Sequence, residues 1–117
     1  MTMYHRSSGR LPLSINVTLI YRGKKVANTH TKNINPFGAF IILPTASLAK
    51  DDFVEIHFID LENKQNQCLQ KGLVMHRNKH GVGVLFAYDS GEFRKMLRHK
   101  IAVLNQPEDH KSLRQAV

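Results

Sequence analysis

Residues 11–21, LPLSINVTLIY, put Leu13, Ile15, Val17, Leu19 and Tyr21 at every second position, with Ser14, Asn16 and Thr18 between them. A period of two is the mark of a strand with one buried face. RGKK then supplies a glycine-containing turn, and KVANTHTKNI reads as a returning strand, polar and edge-like. NPFG breaks the chain before the short β-rich run AFIIL, and a second break covers Pro44 to Asp52. FVEIHFI, CLQKGLVMHR and VGVLFAY complete the set, joined by the polar DLENKQNQ and by the turn NKHG. Six strands at short spacing predict a small antiparallel barrel or sandwich.

The period changes after Asp89. Phe93, Met96, Leu97, Ile101 and Leu104 follow helical spacing, with Arg94, Lys95, Arg98 and Lys100 mostly on the other side. Asp89 and Glu92 have the spacing of a capping box. Pro107 stops the helix, and EDHKSLRQAV reads as a loose tail. The expected organisation is an N-terminal arginine-bearing segment over 1–12, a barrel with a flanking or plugging helix over 13–104, and a flexible tail over 105–117. The fold class is therefore all-β with one C-terminal amphipathic helix.

Composition narrows the function. The chain has 117 residues and is 42% apolar, enough for one compact domain with an ordinary core. No run reaches the roughly 18 apolar residues of a membrane span, and MTMYHRSSGR carries no apolar signal region. A soluble cytoplasmic protein is the expectation, as a monomer or weak dimer. One cysteine, Cys68, excludes an internal disulfide and reads as a structural thiol. The net charge of +8 is unevenly spread: Met1 to Lys50 hold seven Lys or Arg and no acid, whereas all nine acids follow. Such a half is suited to an anionic partner.

Catalytic signatures are missing. His76 and His80 have His-x3-His spacing, but they straddle a strand end and a turn, and no cysteine or carboxylate joins them at useful spacing. No metal, no cofactor and no enzymatic activity are expected. Single-stranded nucleic acid would need aromatic side chains along a strand face, and the polar faces show few.

Two short stretches remain. RSSGR, residues 6–10, holds Arg6 and Arg10 about Ser7, Ser8 and Gly9. Ahead of Pro12 it reads as an extended or looped lead-in, in which residues four apart stand about 13 Å from each other. Gly9 permits a bend that brings the two heads closer. An arginine pair can fork to phosphate, bind the N7 and O6 edge of guanine and stack on a base. Two solvated arginines would look the same in sequence. NINPFG, residues 33–38, fits a type I turn over Asn35 to Gly38. It also presents Asn33 and Asn35 to one side, with amides suited to a base edge, and Gly38 lets a ligand approach the backbone.

Together the two stretches resemble the ligand signature of the PilZ domain family, whose members characteristically bind the bacterial second messenger cyclic di-GMP. That signature is R-x-x-x-R followed by [D/N]-x-S-x-x-G. Arg6 and Arg10 match the arginines, Asn33 and Gly38 match the ends of the second motif, and Asn35 departs from its serine. LPLSINVTLIY, GAFI and LVMHRNKHGVGVLF are similar to family strands, so the resemblance spans roughly Tyr4 to Leu104. It implies a six-stranded antiparallel split barrel with the arginine segment folding over one barrel surface. It implies a cyclic di-GMP site of Arg6, Arg10, Asn33, Asn35 and Gly38, with His5 and Ser7 as peripheral contacts. Ordering of the N-terminal segment about the ligand would then create a surface for a protein effector. The alternative, favoured by Asn35, is a PilZ-like adaptor that binds the nucleotide weakly or not at all.

Overall fold

The six strands close on themselves. In a computed structural model that describes residues 9–45, 47–59 and 67–104 (the backbone alone at 104), they are β1 (Asn16–Tyr21), β2 (Lys24–Asn35), β3 (Gly38–Ile42), β4 (Phe53–Ile59), β5 (Cys68–Arg77) and β6 (Gly81–Phe86). Every pairing is antiparallel and the order around the barrel is β1-β2-β3-β6-β5-β4. The helix α1 (Gly91–Leu104) follows β6. The expected tail over 105–117 lies outside the described residues.

The alternating apolar positions fill the barrel. Leu13, Ile15, Val17 and Leu19 point inward with Ile34, Ile41, Val54, Ile56, Phe58, Val74, Val82 and Val84. Tyr21 is only half-buried, its hydroxyl donating to Asp52 Oδ1 at 3.0 Å. The β1–β2 turn holds Arg22 at φ 54° and Gly23 at φ 79°, the left-handed pair that lets a two-residue hairpin follow strand twist.

β2 is not the polar edge strand that its composition predicts. It pairs with β1 on one side and β3 on the other, because closure leaves no edge. Its polar Thr31 is fully buried, and its hydroxyl donates to Leu13 O at 2.7 Å while accepting from Ile15 N at 2.9 Å. A bulge follows: Thr31 stands opposite Ile41 and Asn33 opposite Phe40, so Lys32 is the extra residue. Such an insertion reverses which alternate positions face the core. Thr31 and Ile34 therefore both point inward, and Asn33 and Asn35 both point out.

α1 begins with a different cap from the one its sequence spacing predicts. Ser90 Oγ accepts from Phe93 N at 3.1 Å, and Ser90 O accepts from Arg94 N at 3.0 Å, which makes Ser90 the N-cap. Asp89 sits one residue too early and pairs with Arg94 instead. Phe93, Met96 and Leu97 are buried, as their spacing requires. Phe93 packs at a tilt against Phe58 (centroids 4.8 Å apart) and edge-to-face against Phe86 (5.0 Å), and the Cys68 thiol meets Met96 Sδ at 3.8 Å. Phe58 is the last residue but one of β4, Phe86 ends β6 and Cys68 starts β5, so α1 covers the barrel end where β2 stops and β3 begins.

Candidate functional site

The turn at that end is built by a side chain. Asn35 Oδ1 accepts from Phe37 N at 2.7 Å and from Gly38 N at 2.9 Å, a local bridge that Asn and Asp form readily and Ser and Thr more weakly. Asn78 does the same in the NKHG turn, accepting from His80 N at 2.7 Å and Gly81 N at 3.2 Å. The amide oxygen of Asn35 thus accepts two backbone hydrogen bonds at the turn.

The arginine lead-in docks on β2 beside this turn. Leu11 N donates to Ile34 O at 2.7 Å, and Ile34 N donates to Leu11 O at 2.9 Å. Leu11 is therefore a single-residue continuation of the sheet, and Leu13 N closes a tight turn on Leu11 O at 2.7 Å across Pro12. This register fixes the residue before it. A methyl built at Gly38 would lie 3.4 Å from Arg10 Nη2, which places the guanidinium end against the Gly38 backbone. Desolvation there lowers the Arg10 pKa from its ordinary value, and an arginine stays charged despite such a shift.

Gly38 has a second constraint. The same methyl would lie 2.4 Å from the carbonyl oxygen of Val84 in β6, inside any tolerable contact. Gly38 thus sets the close approach of β3 to β6 and also leaves the outer surface open for Arg10.

Asn33 stands one outward position from Asn35 and opposite Phe40. Its Oδ1 is buried from solvent and accepts no hydrogen bond from a described residue, a condition that costs about 1–3 kcal/mol until a donor arrives. Phe40 is itself covered by the His76 ring, at 6.1 Å between centroids and 23° between planes. That ring leaves no room for a side chain at Gly83. The outer face around Arg10 is thus Asn33, Gly38 and Phe40 on two strands, with Leu85 beyond, opposite Gly38 in β6 and 47% exposed.

Of the residues singled out in the sequence, the structure brings together Arg10, Asn33, Asn35 and Gly38. Arg6, His5 and Ser7 lie outside the described residues. Two contributions were not anticipated. Leu11 anchors the lead-in, and its only sequence signal is an apolar residue beside Pro12. Arg94 and Arg98 of α1 line a cleft of about 340 Å³ with Gly9, Leu11, Asn35, Pro36, Leu97 and Ile101, on the other side of the same turn. Their spacing of four on one helix was visible, but not what it faces. Cys68 takes no part: burial, and then the charge of Glu92, push its thiol up to about 11, which keeps it protonated and unreactive.

Comparison with known proteins agrees with this fold. The family model described as PilZ domain matches residues 4–102. The crystal structure of the PilZ domain of CeSA from a cellulose synthesizing bacterium superposes with a TM-score of 0.62 at 17% identity, covering 84% of this chain and 100% of that one. At that identity the likeness is one of fold. No curated protein matches the chain. No helix among the described residues is long and apolar enough to cross a membrane.

Proposed function

The chain belongs to the PilZ domain family, and from that premise we propose that it is a receptor for cyclic di-GMP that passes the signal to a protein partner. The observation that carries this reading is the juxtaposition of Arg10 with Gly38 and Asn33. A guanidinium end rests on the Gly38 backbone, and Asn33, opposite Phe40 on the same two strands, holds a buried amide oxygen with no donor among the described residues. Cyclic di-GMP supplies the complement of each. Its phosphates accept from Arg10 in a fork, and its guanine N1–H and N2–H2 groups donate to Asn33 Oδ1. Gly38 keeps the wall flat enough for a ring to lie against it.

Arg6, four residues before Arg10, supplies the second cation. Closing the lead-in about a dianion exchanges solvated arginines for charge-assisted hydrogen bonds, an ordering step that serves as the switch. The ordered segment and the face beside Leu85 then form the surface a partner reads. The family is one of receptors, and no chemistry is asked of the protein beyond binding.

Calorimetric titration with cyclic di-GMP, with GTP and GMP as controls, tests the reading. Alanine at Arg6 or at Arg10 should each abolish the cyclic di-GMP heat. Unchanged affinity in both variants removes the proposal.

A second reading has its own observation. Because Asn35 Oδ1 is spent on the turn, the position where the family signature has serine offers a ligand less here. In that reading the protein is an adaptor that binds the nucleotide weakly or not at all. Binding that appears only in Asn35→Ser would favour it.

A further inference from the structure

Antiparallel order puts the β1–β2, β3–β4 and β5–β6 connections at one end of the barrel, with α1 and the β2–β3 turn at the other. The end without the helix gathers cations. Arg22, Lys24 and Lys25 stand at the first connection, Lys50 in the second and Lys79 in the third, all exposed. None of them makes an ion pair with a described residue. The acids here are Asp51 and Asp52. Both oxygens of Asp52 are engaged, Oδ1 by the Tyr21 hydroxyl and Oδ2 by Ala49 N at 2.8 Å.

Bonds between the connections hold these charges as one platform. The Tyr21–Asp52 bond joins the end of β1 to the start of β4. Leu43 N donates to His80 O at 2.9 Å, and Arg77 donates to Leu43 O from Nη1 (3.1 Å) and Nη2 (2.9 Å), which joins the second connection to the third. Arg22 is set at φ 54° with its guanidinium 5.1 Å from the centroid of the Tyr21 ring. Like charges fixed together repel one another until an anion faces them. An apolar notch flanks the platform. Ile20 and Phe53 line a cavity of about 290 Å³ with Arg22, Gly23, Glu55 and Lys71, and Phe53 is 51% exposed.

The layout selects among anionic partners. The cations lie on three connections around a barrel rim, not along a groove, and so face a plane. Four of the five are lysines, point charges that attract phosphate without the planar fork that reads a base edge. Phe53 is the one exposed Phe or Tyr at this end among the described residues, too few for the stacking series that single-stranded nucleic acid uses. Cations around an exposed apolar ring are instead what binds the boundary of a charged bilayer. We propose that this barrel end docks on a membrane surface of anionic phospholipids, with Arg22, Lys24, Lys25, Lys50 and Lys79 against the headgroup phosphates and Phe53 entering the boundary between headgroups and acyl chains. The contact is peripheral and independent of the receptor reading, because it leaves α1 and the Gly38 wall turned away from the bilayer.

The experiment sediments the full chain with phosphatidylcholine vesicles, with and without phosphatidylglycerol. Binding should require the anionic lipid and weaken steeply as salt rises. Replacing both Lys24→Ala and Lys25→Ala should weaken it about thirtyfold, at about fivefold for each cation near the surface. Both lysines are exposed, so circular dichroism of the variant should match the parent. The chain has no tryptophan, so Phe53→Trp supplies a single fluorophore, whose emission should shift to the blue on anionic vesicles. Tyr88→Trp, an exposed position just before α1, should show no shift. Absent sedimentation, equal sedimentation with phosphatidylcholine alone, or undiminished sedimentation of the double variant overturns the proposal. So does an unshifted Phe53→Trp or a shifted Tyr88→Trp. Retention of duplex DNA without vesicle binding assigns the face to nucleic acid and likewise overturns it. No nucleotide enters this assay, so its failure leaves the receptor reading standing.

Discussion

Replacing Gly38 with alanine tests two constraints at one atom. The added methyl would stand 2.4 Å from Val84 O and 3.4 Å from Arg10 Nη2. A carbon and a carbonyl oxygen that are not bonded normally keep about 3.3–3.6 Å apart, so β3 and β6 must separate by about 1 Å at that point. The oxygen belongs to the backbone of a buried strand and cannot swing aside. Overpacking of this kind costs about 1–3 kcal/mol. Reduced freedom of the unfolded chain returns about 0.4–1 kcal/mol when glycine becomes alanine. The net loss is then about 1–2 kcal/mol, a fall in Tm on the order of 5–10 °C for a domain near this size. Urea and thermal unfolding followed by circular dichroism give both numbers. The second constraint is read by calorimetry, because the methyl displaces the guanidinium end, and cyclic di-GMP affinity should fall with stability. An unchanged Tm would refute the close strand approach. A lower Tm with unchanged affinity would refute the placement of Arg10.

Other expectations follow from single residues. Gln70 is fully buried in β5 with neither amide atom hydrogen-bonded to a described residue, so Gln70→Met, which keeps the volume, should raise stability by about 1 kcal/mol or more in urea. Ser90→Ala removes the N-cap of α1 and should cost about 1 kcal/mol. Cys68 is raised to about 11 in the fold, above its value in an unfolded chain near 8.5. The folded state therefore holds the proton more tightly, and this contribution is complete below about pH 8.5 and lost as pH rises toward 11. Partial exposure limits it to the order of 1 kcal/mol. Unfolding free energies between pH 8 and 11 should fall less steeply in Cys68→Ala than in the parent.

Much of this was legible in the sequence wherever the chain obeys one simple period. Leu13 to Leu19 alternate and are buried in alternation, and Phe93, Met96 and Leu97 seat α1 as their spacing requires. The errors lie where a long-range partner decides. β2 looks like an edge because it is polar, yet Thr31 is satisfied by the backbone of residues 13 and 15, far away in sequence. The extra residue Lys32 carries no sequence signature, although it is what turns Asn33 and Asn35 outward together with Ile34 inward. Asp89 matched a capping pattern, but Ser90 sits where the helix starts and takes the cap. At the site, Asn35 was legible both as turn former and as ligand group, and the structure commits its carbonyl to the turn. That Arg98 and Leu11 would share a cleft depends on how α1 caps the barrel, which no local pattern encodes.

The claim beneath the account is that the barrel wall at Gly38, flanked by Arg10 and Asn33, is where a guanine dinucleotide binds. Amide and side-chain shifts of the full chain during titration with cyclic di-GMP test it most directly. The account predicts saturable shifts at Gly38, at the Asn33 side-chain amide and at Arg10 Nε, with β1 and β4 unaffected. Saturable shifts confined to β1 and β4, or none at any concentration, would contradict it.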